Sequence, residues 1–250
     1  LAGKDPAWIK VYVDGDYGFV QDGKPVYPEY RDQLHCKPIE ADKKLPLWVG
    51  LDFGLTPAAS FAQRSFLGQW RFVDELVTED MGAVRFGELL KARLDTDYGE
   101  FKLAGMYGDP SGDNRAQTDE RTPFTILRAQ GLPAKPAHSN DPVLRREAFA
   151  KPLSRLVDAE PGLIIDPRCT NLRKGLMGGY RYKRVQVSGQ DRYHDKPDKN
   201  MFSHVCEAAQ YLMLGAGEGR ALKIGDASLT FNRNRNAGPD MSDSGLSHEW

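Results

Sequence analysis

Three features of the chain predict an α/β domain. Two short apolar runs, LWVGLDF (47–53) and KLAGMYG (102–108), have the length of buried strands, and each meets an aspartate: Asp52 in the first, Asp109 just after the second. Between them Phe86, Leu89, Leu90 and Leu94 recur at helical spacing. Near the end, NMFSHVCEAAQYLML reads as a helix with Val205, Ala208, Ala209 and Leu212 on its buried stripe and Glu207 early.

In chain order, residues 1–45 read as an irregular lead-in arm with one extended piece, Trp8 to Val13. Strands follow at 47–53, 58–66 and 70–77, the last two joined by a tight turn at Gly68-Gln69. The helix around 86–94 leads to the strand at 102–108, and a further helix spans about 142–158, with a break or kink expected near Ala150 because Pro152 cannot donate to it. GLIID (162–166) is another strand candidate, YRYKRVQVSGQDRYH reads as an exposed hairpin, and the last helix runs from about 201 to 214. Residues 215–250, with six Gly and three Asn and no periodicity, read as a flexible tail.

A chain of 250 residues with 40% hydrophobic and 28% charged residues supports one well-buried core. Its net charge of −1 gives no overall attraction to nucleic acid, so such binding requires a local patch. The three cysteines, Cys36, Cys169 and Cys206, lack zinc spacing and suit a reducing, intracellular setting. No apolar run approaches the ~20 residues of a membrane span.

Acidic side chains at the ends of rigid elements repel one another unless a cation neutralises them, and a hard divalent metal prefers such oxygen ligands. Asp52, Asp109 and Glu207 therefore point to metal-dependent phosphate chemistry. Each alone has a plainer reading: a turn aspartate, an Asp-Pro turn, a solvated helix face. His204 lies one turn before Glu207 on the same face, and Tyr211 continues that stripe. Residues 168–200 carry nine Lys/Arg against three Asp, with Tyr180, Tyr182 and Tyr193 interleaved, a pattern suited to phosphate binding; Arg145-Arg146 extends it. Asp113, Asp119 and Asp198 read as surface or supporting groups. No G-x-x-x-x-G-K-[ST] phosphate loop is present.

Taken in order, DGKPVYPEY, WVGLDFGLTPAA, MYGDPSGDNRAQTDERTPF, IIDPRCTNLRKGLMGGYRY and KPDKNMFSHVCEAAQYL resemble the carboxyl-terminal nuclease domain of tailed-phage terminase large subunits, over about residues 8–220. The resemblance implies an RNase H-like fold, a mixed central sheet of about five strands flanked by helices. It also implies an endonuclease that cuts concatemeric double-stranded viral DNA with two Mg²⁺ or Mn²⁺ ions. The family's first aspartate matches Asp52 and its second acid matches Asp109. The family's S-H-x-x-D-A matches Ser203, His204, Glu207 and Ala208, with Glu in place of the commoner Asp.

On this reading 1–45 is a linker from an absent ATPase domain, 46–214 the nuclease domain and 215–250 a tail. Asp52, Asp109 and Glu207 hold the metals, His204 assists proton transfer or holds Glu207, and Lys199 balances charge at the scissile phosphate. DNA crosses Arg181, Lys183, Arg184, Arg192 and Lys196. The implied partners are viral DNA, the terminase small subunit and the capsid portal, with no membrane, in the cytoplasm of the infected bacterial host. VGLDFGLT also resembles the first phosphate loop of the actin and heat-shock ATPase fold, so an ATPase fragment is one alternative and a catalytically silent DNA or portal docking module another.

Overall fold

In the computed structural model, residues 23–54, 56–113, 121–185 and 192–219 are described, and they build a six-stranded sheet with helices on both faces. The extended piece at Trp8 to Val13, Asp119 and the side chain of Asp113, the tip of the basic hairpin and the tail beyond residue 219 lie outside the described residues.

The chain enters at β1 (Gly23–Pro25) and then forms β2 (Leu47–Asp52), β3 (Ala58–Arg64) and β4 (Trp70–Val77). Helix α1 (Ala83–Asp97) carries it to β5 (Leu103–Gly108), and α2 (Pro123–Ala129) to β6 (Ala134–Pro136). Helix α3 (Pro142–Ser154) precedes the small hairpin β7 (Leu156–Val157) and β8 (Glu160–Pro161), then β9 (Leu163–Ile165). Last come β10 (Arg181–Val185), β11 (Arg192–Tyr193) and α4 (Met201–Gly215).

The sheet order is β6-β5-β2-β3-β4-β9. Strand β3 runs antiparallel to both β2 and β4, whereas β5 is parallel to β2, β6 to β5 and β9 to β4. The sixth strand is the short β6 at the edge, which the sequence reading did not include. A separate three-stranded sheet, β1-β10-β11, holds the basic hairpin.

Side chains alternate across a strand, and this pleat sorts the core into two layers. Val49 and Leu51 of β2 and Met106 of β5 join Phe86, Leu90, Phe124 and Leu127 beneath α1 and α2. The residues between them face the other way, toward α3 and α4: Trp48 stacks on Tyr107, and Gly50 lies directly under α4. Asp52 and Asp109 share that second parity, so both point toward α4. At Gly50 a Cβ would meet the Ala208 carbonyl oxygen at 2.0 Å, so glycine there lets α4 approach the middle of the sheet. Ser60 pins the same helix by donating to the Val205 carbonyl at 3.1 Å.

Several expectations change. The turn after β3 is not a tight Gly68-Gln69 turn: it spans residues 65–69, closed by Ser65 N–H to the Gln69 carbonyl and Gly68 N–H to the Ser65 carbonyl. Helix α3 does not break at Ala150: it runs on to Ser154 with Pro152 inside its final turn, so only a few residues follow the missing N–H. Leu89 is exposed, so α1 buries a narrower stripe centred on Phe86 and Leu90. Residues 23–45 are mostly outside regular elements but include β1 and a helical turn at Asp32–His35, and they place Tyr27 in the core. Glu218, in the expected tail, accepts a hydrogen bond from Trp70 Nε1 at 2.9 Å. None of the described helices is long and apolar enough to cross a membrane.

Candidate active site

Two parallel strands end side by side. Leu51 of β2 pairs with Gly108 of β5, so the next residues, Asp52 and Asp109, sit at one edge of the sheet on strands ~4.8 Å apart. Asp52 is 2% exposed, while Asp109 is half-buried and its Oδ1 accepts from the Ser111 N–H at 2.9 Å. That bond follows from Pro110, which ends the strand and turns the chain.

Helix α4 brings the other acid. Its start is set by a capping box: Asn200 Oδ1 accepts from the Phe202 and Ser203 backbone N–H groups, and Ser203 Oγ accepts from the Asn200 N–H. From this fixed start His204 reaches the end of β2, with Nδ1 2.9 Å from Asp52 Oδ2. His204 thus holds Asp52, not Glu207. Glu207, one turn on, is 2% exposed. Its Oε1 accepts from the Tyr180 hydroxyl at 3.0 Å, its Oε2 contacts Lys199 Nζ, and Arg145 Nη1 lies 3.6 Å from Oε2. Arg145 also donates to the Tyr211 hydroxyl at 2.7 Å, and that hydroxyl donates to Asn140 Oδ1 at 2.7 Å.

The electrostatics follow from burial. Desolvation pushes the Asp52 carboxyl up to about 6; the His204 hydrogen bond opposes the rise and the Glu207 charge adds to it. Burial works against the charge on Arg145, yet Tyr211, Glu207, Tyr180 and Asp109 together raise its pKa and keep it ionised. Burial raises the Tyr211 hydroxyl as well; Arg145 opposes the rise, and the charges of Asp109, Asp52 and Glu207 add to it. All three carboxylates therefore act on one small region.

The structure pairs Asp52 with His204 and Glu207 with Lys199, the two pairs meeting at α4, and sets Asp109 at the strand end beside Asp52. The helix face shared by His204, Glu207 and Tyr211 is not solvated: Glu207 and Tyr211 are buried because α4 lies between the sheet and α3. Tyr180 is no exposed ring in the basic stretch but a buried partner of Glu207. Arg145 and Arg146 do not extend the basic surface, since Arg145 is 9% exposed at the site and Arg146 pairs with Glu29 and Glu147. Arg173 is likewise held by Asp32, and Arg168 by Asp166. Asp198 pairs with Lys183 at 2.7 Å, outside the acidic group.

The sequence reading missed Arg145, Tyr180 and Tyr211 as site residues. Helical spacing put Tyr211 on the face of His204 and Glu207 without saying that this face is buried, and nothing in the pattern around Arg145 or Tyr180 separates a buried partner from a surface one. Among the described residues, no three acidic, histidine or cysteine side chains close around a point as a ready metal cage would.

The exposed basic residues have a definite root. Strand β10 begins directly after Tyr180 and the segment following β11 ends at Lys199, so both ends of the hairpin touch Glu207. Lys183, Arg184, Arg192 and Lys196 are exposed along it, and Arg181 is half-buried at its base.

No family model matches the sequence, and no curated protein sequence does. Among solved structures, the large terminase from a thermophilic bacteriophage aligns with a TM-score of 0.55 at 18% identity, covering 78% of this chain and 45% of that chain. The same phage protein in complex with ATP-gamma-S gives a TM-score of 0.57 at 16% identity, over 78% and 46%. The P22 large terminase nuclease domain gives 0.57 at 11% identity, over 78% of this chain and 93% of that one. The chain thus spans less than half the length of the thermophilic phage's protein and nearly all of the P22 domain. In its described part, this chain has the RNase H-like fold of the phage large-terminase nuclease domain.

Proposed function

We propose that this chain is the nuclease domain of a phage DNA-packaging terminase and that it hydrolyses phosphodiester bonds of double-stranded DNA with the help of divalent cations. The observation that carries this reading is the meeting of Asp52 and Asp109 at adjacent strand ends under a helix that presents His204 and Glu207. A buried carboxylate with its pKa raised to about 6 lacks a full counter-charge, and oxygen donors of this kind suit Mg²⁺ or Mn²⁺. Asp52 and Asp109 fit such a cation, whereas Glu207 is already partnered by Lys199, Arg145 and Tyr180.

When bound, divalent cations in a site of this class activate water and stabilise the departing 3′ oxygen. The chain's own residues do the rest. His204 Nδ1 fixes the orientation of Asp52, and Glu207, itself held by the Tyr180 hydroxyl, fixes Lys199, whose ammonium meets a backbone phosphate. DNA lies along the hairpin and is bound through its backbone by Arg181, Lys183, Arg184, Arg192 and Lys196, so little sequence preference follows. The small subunit, the capsid portal and the cytoplasm of the infected bacterial host complete this reading as the partners and place of action.

Plasmid DNA incubated with the chain and Mn²⁺ or Mg²⁺ is expected to be nicked and then degraded, and EDTA is expected to stop it. Undiminished cleavage in EDTA would overturn the metal-dependent reading. Neutralising Lys183, Arg184 and Arg192 together is expected to weaken duplex binding and to flatten its log–log salt dependence by about 0.9 for each phosphate no longer engaged. An unchanged slope would place the DNA on another face.

A further inference from the structure

Both oxygens of Glu207 are taken by groups of this chain, two of them cations, whereas Asp52 is bonded to His204 and Asp109 to a backbone N–H. Oε1 faces the Tyr180 hydroxyl at 3.0 Å, and Oε2 faces Lys199 Nζ, with Arg145 Nη1 3.6 Å away. A divalent cation placed at Oε2 would sit against two fixed positive charges in a region largely shut off from water, where repulsion is weakly screened. Arg145 adds a second, independent sign. It is about nine-tenths buried and its Nε has no hydrogen-bond partner, so its charge is held inside the protein beside Glu207 and Tyr211 and is not spent on a surface pair. Lys199 has its ammonium on Glu207 while its side chain is 64% exposed, which leaves it reachable from the DNA side.

We propose that Glu207 is the anchor of a built-in cation pair, Lys199 and Arg145, which takes the electrostatic place of a second divalent ion, so that the chain alone binds one divalent cation, at Asp52 and Asp109. This rests on the nuclease reading above and sharpens it. Glu207 then acts as a positioning residue. It sets two protein cations against the phosphate, and the third carboxylate is needed for charge placement, not for metal ligation.

The test is a count of bound ions. Mn²⁺ is titrated into the DNA-free chain, and the free ion is followed by electron paramagnetic resonance. The parent is expected to bind one Mn²⁺ per chain. Glu207→Gln is expected to bind one as well, with its Kd changed less than about threefold. Lys199→Met uncovers Oε2 and is expected to gain a second Mn²⁺ site, and Mn²⁺ should then raise its melting temperature more than it raises the parent's. Lys199 is largely exposed, so this variant folds even if Glu207→Gln does not. Two ions on the parent with one lost in Glu207→Gln would overturn the proposal and leave the nuclease reading intact, and so would a Lys199→Met chain that still binds one. No Mn²⁺ bound by the parent would overturn the nuclease reading and this proposal with it.

Discussion

Asp52→Asn is expected to abolish DNA cleavage, by roughly 10³-fold or more, while leaving the fold as stable as the parent or more so. The amide keeps the shape of the side chain and removes its charge, so a cation loses its most buried ligand; a 10³-fold loss corresponds to about 4 kcal/mol of transition-state stabilisation. Stability moves the other way, and pH reveals why. The Asp52 carboxyl titrates near 3.8 when solvated and is pushed to about 6 in the fold by burial, with the Glu207 charge adding to the rise. Between those values the folded state holds a proton that the unfolded state has released. Parent stability therefore falls as pH rises from about 4 to about 6, and it stays reduced above that. The shift corresponds to at most about 3 kcal/mol. In EDTA, the advantage of Asp52→Asn over the parent in urea unfolding is expected to be larger at pH 8 than at pH 4, reduced by whatever the His204 hydrogen bond loses. An Asn variant that is much less stable at both pH values would make Asp52 a structural cap.

Arg145→Met is expected to cause the largest stability loss of any single change at the site, about 3 kcal/mol, because breaking a buried charged network leaves its partners uncompensated. The guanidinium donates to Tyr211 at 2.7 Å, and it is the interior one of two cations around a carboxylate that is 2% exposed. Methionine fills most of the volume, so the loss is electrostatic and not a cavity effect. Cleavage should fall with it, since Glu207 loses half of its cation pair. A double-mutant cycle with Tyr211→Phe isolates the hydrogen bond, and a coupling of about 1–2 kcal/mol is expected. A variant within about 0.5 kcal/mol of the parent, fully active and uncoupled, would show that Arg145 plays no part.

The strands and helices that carry the acids were legible because their apolar residues repeat at the periods of their elements. LWVGLD and LAGMYG lie in the β2–β5 ladder where their apolar length predicted, and each delivers its aspartate at the same edge. NMFSHVCEAAQ starts its helix at the Asn200 cap, as its polar start and apolar stripe require. The element count was less legible. AKP (134–136) has too few residues to show any period, and it becomes a strand only because Met106 to Gly108 offers it a ladder.

Chain order and local pattern thus determined which residues are acidic, which elements carry them and at which end of each strand they stand, because these depend on bonds within a few residues. Tertiary structure alone decided what surrounds them. Arg145, Tyr180 and Tyr211 come from separate segments, and no local period marks a cation as a buried partner or a surface one. Only the close approach of α4 to the sheet at Gly50 decides that Glu207 leaves the solvent. Once it is buried, an uncompensated carboxylate is too unfavourable to persist, and the fold meets that demand with Lys199 from just before α4 and Arg145 from a separate helix.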